Sequence, residues 1–227
     1  VKLPLNARSD LGFIHRFDPA KNAAAPALLL LHGSGGDENS LLALGRAIAP
    51  GAALLSPRGK VTEFGSSRFF ERSDEGAGSA KELSHRTLEL AAFVSKAAKA
   101  YHLSPARLVL VGFSNGASIG VHLLLKAPDQ FGGAVFMRGM QPFYSHGEPA
   151  PRQRNLAGKP VLLLSGIHDP LVQSDQADDL AVFLRDAGAE VSLHWEEAGH
   201  ALSQGDVLMA FDWIRSFYLS PRTGEPK

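Results

Sequence analysis

Six short apolar runs, interleaved with helix-like stretches, constrain this chain more than any other feature. They are Ala27–Leu31 (ALLLL), Ala52–Ser56 (AALLS), Arg107–Val111 (RLVLV), Gly133–Met137 (GAVFM), Pro160–Leu164 (PVLLL) and Val191–Trp195 (VSLHW). They read as continuously apolar rather than alternating, which a parallel sheet covered on both faces requires. Helical patterns fill the intervals at Leu41–Ile48, Ala80–Tyr101, Ser118–Lys126, Ser174–Ala187 and Ser203–Leu219, with Gly188 as a C-terminal cap of the fourth. The alternation predicts an α/β fold with a mostly parallel, doubly wound sheet flanked by helices. Phe13–Phe17 is expected to add an edge strand before the parallel series.

Two stretches interrupt this rhythm. Arg58–Ala80 contains Phe64, Phe69 and Phe70, and Met140–Ala157 contains Phe143, Tyr144 and His146. Long connections in a compact domain serve as lids or binding loops when they are not disordered, and clustered aromatics favour binding walls. At 227 residues the chain suits one domain, 1–227, with residues 1–10 and 220–227 peripheral. Lys plus Arg and Asp plus Glu both total 23, so no global field draws in nucleic acid or anionic membrane. There is no cysteine, which removes disulfides, thiolate metal sites and a thiol nucleophile together. No apolar run approaches the length of a membrane span, and Val1–Arg16 lacks the pattern of a secretory signal. The cytoplasm is therefore the default location, and neither metal nor cofactor is expected.

The run RLVLV passes directly into Gly112-Phe-Ser114-Asn-Gly116 and then into a helical pattern. This is the G-x-S-x-G elbow in a strand–turn–helix setting, and it makes Ser114 the candidate nucleophile. A hydroxyl needs a base, and in this arrangement an acid and then a histidine follow on loops after later strands. His168, His194 and His200 are the late candidates. His194 lies inside a strand and His168 adjoins the acid, whereas His200 falls in a loop between the last strand and the last helix. Asp169 follows PVLLL and is the expected orienting acid. Asp175, Asp178 and Asp179 fall in the first turns of a helix, where stabilising its dipole is the better reading. Two backbone N–H groups are expected to bind the oxyanion: Asn115, and Ser34 in His32-Gly-Ser34-Gly-Gly36. His32 is expected to orient that loop.

Leu31-His-Gly-Ser-Gly-Gly-Asp-Glu-Asn39, Gly-Phe-Ser114-Asn-Gly, Gly-Ile-His-Asp169-Pro and Ala-Gly-His200-Ala-Leu-Ser, in this order, resemble the phospholipase/carboxylesterase family of small α/β hydrolases. The likeness runs from about Leu28 to Trp213 and is closest to the bacterial branch that carries Ser67-Arg-Phe-Phe-Glu-Arg72. The resemblance implies an α/β-hydrolase fold without a large cap domain and hydrolysis of carboxylic esters or thioesters. It implies Ser114, Asp169 and His200 as a triad, and it implies that members often dimerise.

The expected function is cleavage of small carboxylic esters through an acyl-enzyme on Ser114. Phe69, Phe70, Met140 and Phe143 are candidate pocket residues, with Tyr144 and Met137 as further candidates; Met137, inside a strand, is better read as core. Arg68, Glu71 and Arg72 either border the entrance or form surface ion pairs. The alternatives are an acyl thioesterase or lysophospholipase, which needs a long apolar groove, and a non-catalytic binding protein on the same fold.

Overall fold

The computed structural model describes residues 9–63, 65–71, 77–140 and 155–218. The apolar runs form the centre of a seven-stranded sheet. Its strands are β1 (His15–Asp18), β2 (Ala27–Leu31), β3 (Ala53–Pro57), β6 (Leu108–Phe113), β7 (Gly133–Met137), β8 (Pro160–Gly166) and β9 (Glu190–Glu196). The spatial order is β1-β3-β2-β6-β7-β8-β9. All neighbours are parallel except β1, which pairs antiparallel to β3 at the edge and places His15 opposite Pro57.

Strand periodicity sorts the core into two layers. Leu29, Leu31, Leu108, Leu110, Phe136 and Leu163 point to one face, where they meet α2 (Ala77–Ala100), α3 (Asn115–Lys126) and α4 (Ser174–Asp186). Leu28, Leu30, Val109, Val111, Val135, Met137, Leu162 and Leu164 point to the other, covered by α1 (Leu42–Ile48) and α5 (Gln204–Tyr218). Each central strand is therefore buried on both faces, which explains its unbroken apolar sequence. Helix α4 ends where expected: Gly188 takes φ +99°, and its N–H bonds the carbonyl of Arg185.

Two features depart from the sequence expectation. The stretch after Arg58 contains a short hairpin, β4 (Val61–Glu63) and β5 (Ser66–Arg68), turned through Gly65 at φ +79°. The last strand, β9, is half-buried rather than buried, because among the described strands it is an edge paired with β8 alone. Phe64, Arg72, Phe143, Tyr144 and His146 lie outside the described residues.

Candidate active site

The loops that follow β2, β6, β8 and β9 open at the same end of the sheet, the carboxyl ends of the parallel strands, where α/β folds collect their ligand-binding residues. At the centre, β6 turns into α3 through Ser114, which takes φ +52° and ψ −118°. That conformation is costly for a residue with a Cβ, so the surroundings must enforce it. The two glycines make the enforcement possible. A Cβ on Gly116 would stand 2.1 Å from the carbonyl oxygen of Leu31, and one on Gly112 would stand 2.6 Å from the Cα of Ala117. The elbow is also tied sideways, the Ser114 N–H donating to the Met137 carbonyl at 2.9 Å.

Three predicted residues converge here. The Ser114 hydroxyl lies 3.0 Å from His200 Nε2, and His200 Nδ1 lies 2.9 and 3.1 Å from the two carboxylate oxygens of Asp169. The Asp169 side chain is 1% exposed and that of His200 is 21% exposed, so the acid is sealed while the imidazole reaches toward solvent. Asp169 Oδ1 also accepts the N–H groups of Leu171 and Val172 at 2.8 and 3.1 Å, which fix the carboxylate independently of the histidine. A carboxylate, an imidazole and a hydroxyl in this sequence of contacts can move a proton from oxygen to nitrogen while stabilising the resulting imidazolium. His168 is elsewhere: its ring is mostly exposed and pairs with Glu197. His194 pairs with Glu196 along β9.

The loop carrying Ser34 abuts the elbow. A Cβ on Gly33 would lie 2.9 Å from the Phe113 ring and 3.4 Å from Ser114 Cβ. His32 holds this loop from beneath. Its Nε2 accepts the Gly59 N–H at 2.9 Å, so the other ring nitrogen carries the proton and donates to the Gly33 carbonyl at 2.7 Å. Burial pushes the His32 pKa below that of a free histidine, opposed in part by the Gly33 carbonyl. The Gly35 N–H donates to the Ser67 carbonyl at 2.9 Å, joining the loop to β5.

Asn115, the first residue of α3, is buried, and its side chain joins the elbow to the same segment. Asn115 Oδ1 accepts the Phe69 N–H at 2.8 Å, and Nδ2 donates to the Phe70 carbonyl at 3.3 Å. Phe69 and Phe70 themselves are core side chains, 2% and 6% exposed, with the Phe69 ring against His32. Met137 is fully buried in β7, and Met140 is half-buried in the loop beyond it. Arg68 pairs with Glu63 at 2.9 Å across the hairpin, and Glu71 is exposed. Among the described residues, no group of three or more His, Asp or Glu side chains is placed to hold a metal ion, and no helix is long and apolar enough to cross a membrane.

Sequence reading missed the residues beneath the His200 loop. Arg138, directly after β7, is buried and forms an ion pair with Asp206 in the first turn of α5. Asp206 carried a readable signal: Ser203-Gln-Gly-Asp206 has capping-box spacing. The box forms, with Asp206 Oδ2 accepting the Ser203 N–H at 2.7 Å and Ser203 Oγ accepting the Asp206 N–H at 3.1 Å. Nothing local marked Arg138.

The chain is similar to known proteins in sequence and in fold. The sequence pattern of the phospholipase/carboxylesterase family matches residues 15–217. MhqD of Bacillus subtilis strain 168, a protein described as a hydrolase, is 40% identical over 195 residues, covering 86% of this chain and 95% of its own. A carboxylesterase from Bacillus cereus superposes with a TM-score of 0.83 at 38% identity, covering 92% of this chain and 97% of the other. One from Mesorhizobium loti gives 0.81 at 33% identity, covering 91% and 96%. The chain belongs to the phospholipase/carboxylesterase family and is a carboxylic-ester hydrolase of the α/β-hydrolase fold.

Proposed function

We propose that this chain cleaves small carboxylic esters through an acyl-enzyme on Ser114, with His200 as general base and acid and Asp169 as its orienter. The observation that carries the reading is the unbroken contact from Ser114 Oγ to His200 Nε2 at 3.0 Å and from His200 Nδ1 to Asp169 at 2.9 Å. His200 takes the hydroxyl proton as Oγ attacks the ester carbonyl carbon. The oxyanion that forms is bound by the N–H groups of Ser34 and Asn115, the second lying at the positive end of the twelve-residue α3. Collapse of this intermediate breaks the ester C–O bond, and the leaving alcohol takes the proton from His200. Water then attacks the acyl-enzyme, again deprotonated by His200, and the acid is released with Ser114 regenerated.

Phe69 and Phe70 belong to the core, and only their main chain, pinned to Asn115, supports the site; half-buried Met140 is the pocket residue assigned among the described ones. Phe143, the remaining candidate pocket residue, lies outside the described residues. The chain acts as one domain, 1–227, on a small-molecule ester.

Replacing Ser114 by Ala tests the mechanism. Turnover of a short p-nitrophenyl ester should fall by on the order of 10⁴-fold or more with the fold retained, and undiminished turnover would rule the mechanism out. A series of acyl esters and thioesters tests the substrate class. A maximum at short acyl esters is expected, and a maximum at long acyl chains or at thioesters overturns that assignment.

A further inference from the structure

A buried cation sits directly under the candidate base. The side chains of Arg138 and Asp206 are both 0% exposed, and they meet through two parallel hydrogen bonds, Nη1 to Oδ1 at 2.9 Å and Nη2 to Oδ2 at 2.6 Å. The remaining guanidinium bonds all go to main-chain carbonyls. Nε donates to Gly199 at 2.9 Å, Nη2 to Ala201 at 3.4 Å and Nη1 to Leu164 at 3.1 Å. Gly199 and Ala201 are the residues on either side of His200. One planar group therefore holds the carbonyls flanking the base, while its anionic partner holds the N–H of Ser203 at the far end of the same loop.

Energetics give this arrangement its meaning. Desolvating two charges consumes most of what their attraction returns, so a buried ion pair is poor evidence for stability, and apolar side chains of similar volume commonly replace one without loss. Arg138 also takes φ +52°, a conformation unfavourable for a residue with a Cβ. A residue that is costly both in backbone and in desolvation, and whose donors end on the His200 loop, answers a need for position. The planar fork supplies several directed bonds at once, which a lysine ammonium does not reproduce.

We propose that Arg138, in its ion pair with Asp206, is the positioning residue for His200: it holds the 199–201 main chain so that Nε2 stays within hydrogen-bond reach of the Ser114 hydroxyl. The assignment rests on His200 being the base. The side chain touches neither substrate nor the reacting atoms and acts through the loop alone.

The test compares three variants of the full chain. In Arg138→Met/Asp206→Leu the charges are replaced together, so no unpaired ion remains buried. Arg138→Lys keeps the charge and loses the fork, and His200→Ala checks the reading on which the proposal stands. Each is measured by thermal unfolding and by steady-state kinetics on a short p-nitrophenyl ester, with kcat expressed per folded protein. The double variant is expected to fold with kcat lowered by about 10²-fold and KM within about twofold, since an ångström of misplacement at a reacting group costs about that much. Arg138→Lys is expected to fold with kcat lowered by about tenfold, because part of the carbonyl grip survives. A merely structural pair lowers the unfolding temperature and leaves kcat per folded protein at the wild-type value. Wild-type kcat in either folded variant, with His200→Ala inactive, overturns the positioning role alone. Wild-type turnover by His200→Ala overturns the base assignment instead.

Discussion

Asn115 offers a sharp perturbation, because its side chain and its main chain serve different ends. The amide N–H is proposed to bind the oxyanion, whereas the side chain accepts the Phe69 N–H at 2.8 Å and donates to the Phe70 carbonyl at 3.3 Å. Asn115→Ala leaves the main chain in place and removes both side-chain bonds. Phe69 is 2% exposed, so its N–H loses its partner where water does not readily replace it, at about 1–3 kcal/mol. The second bond is long and its carbonyl retains other lone-pair capacity, adding about 0.5 kcal/mol. A loss of about 2–3 kcal/mol in a chain of this size lowers Tm by roughly 5–10 °C. Deleting an oxyanion donor outright costs about 10²–10³ in kcat. Here the donor remains and only its anchorage is lost, so a fall of about tenfold in kcat, ~1.4 kcal/mol, is expected with KM little changed. Asn115→Asp should do worse, since it turns the donor facing the Phe70 carbonyl into an acceptor and buries a charge. Circular-dichroism melting and ester kinetics read the two effects separately. A lowered Tm with unchanged kcat would refute the link between this clamp and the oxyanion hole, and an unchanged Tm would refute the energetic reasoning itself.

Gly116→Ala forces a Cβ to within 2.1 Å of the Leu31 carbonyl oxygen, so α3 must retreat by about 1 Å and kcat should fall by about 10²-fold; wild-type Tm and kcat together would show that the elbow yields freely. Stability should also depend on pH through His32 and His15. Burial lowers the pKa of both below 6.5 in the folded chain, and each uses Nε2 as an acceptor, from the Gly59 N–H and the Tyr101 hydroxyl at 2.9 and 2.7 Å. The unfolded chain therefore binds more protons in the window between the folded and unfolded pKa values, and stability rises with pH there. Full stability is expected above about pH 6.5, with loss as pH falls below it. Denaturant midpoints measured from about pH 8 to about pH 5 should show this slope, shallower in His32→Gln. Asp18, Asp37 and Glu38 are held below their ordinary pKa values, against the opposing effect of their own burial, by Arg46 and Arg16, by the Asn39 amide and by Arg58 respectively, so their contribution is lost only at lower pH. A flat midpoint between about pH 8 and 5 contradicts the histidine assignment.

How much of the fold was legible follows from where burial acts. Gly133–Met137 and Ala27–Leu31 form strands over the same residues that the apolar runs mark, because both faces of these strands are covered and every side chain had to be apolar. The same logic misleads at β9. Val191, Leu193 and Trp195 read as a buried strand, yet one neighbour is missing and the strand is half-buried; apolar content does not report a strand's place in the order. Hairpin β4–β5 was invisible for the opposite reason. Three residues on each side of a turn carry too little pattern, and the Gly35 N–H that donates to the Ser67 carbonyl comes from far along the chain. The aromatics at Phe69 and Phe70 suggested binding walls, but an apolar side chain looks the same in sequence whether it lines a cleft or fills the core, and these two are core.

The same distinction divides the site itself. Ser114, Asp169 and His200 could be picked out as candidates because each follows the carboxyl end of a strand, and strand ends are the best-marked points in this sequence. Their supports obey no such rule. The Ser34 loop is held by the His32 ring through Gly59 and by Gly35 through Ser67, and the elbow by Asn115 through Phe69 and Phe70. The His200 loop is held by a cation that leaves β7 in a left-handed turn and an anion that caps α5. In each case the partner is decided by three-dimensional proximity and the group it satisfies is a main-chain N–H or carbonyl, which every residue type presents. Reactive groups are therefore legible by type and place, whereas the bonds that hold them to within an ångström become visible only when buried main-chain polar groups are followed to their partners.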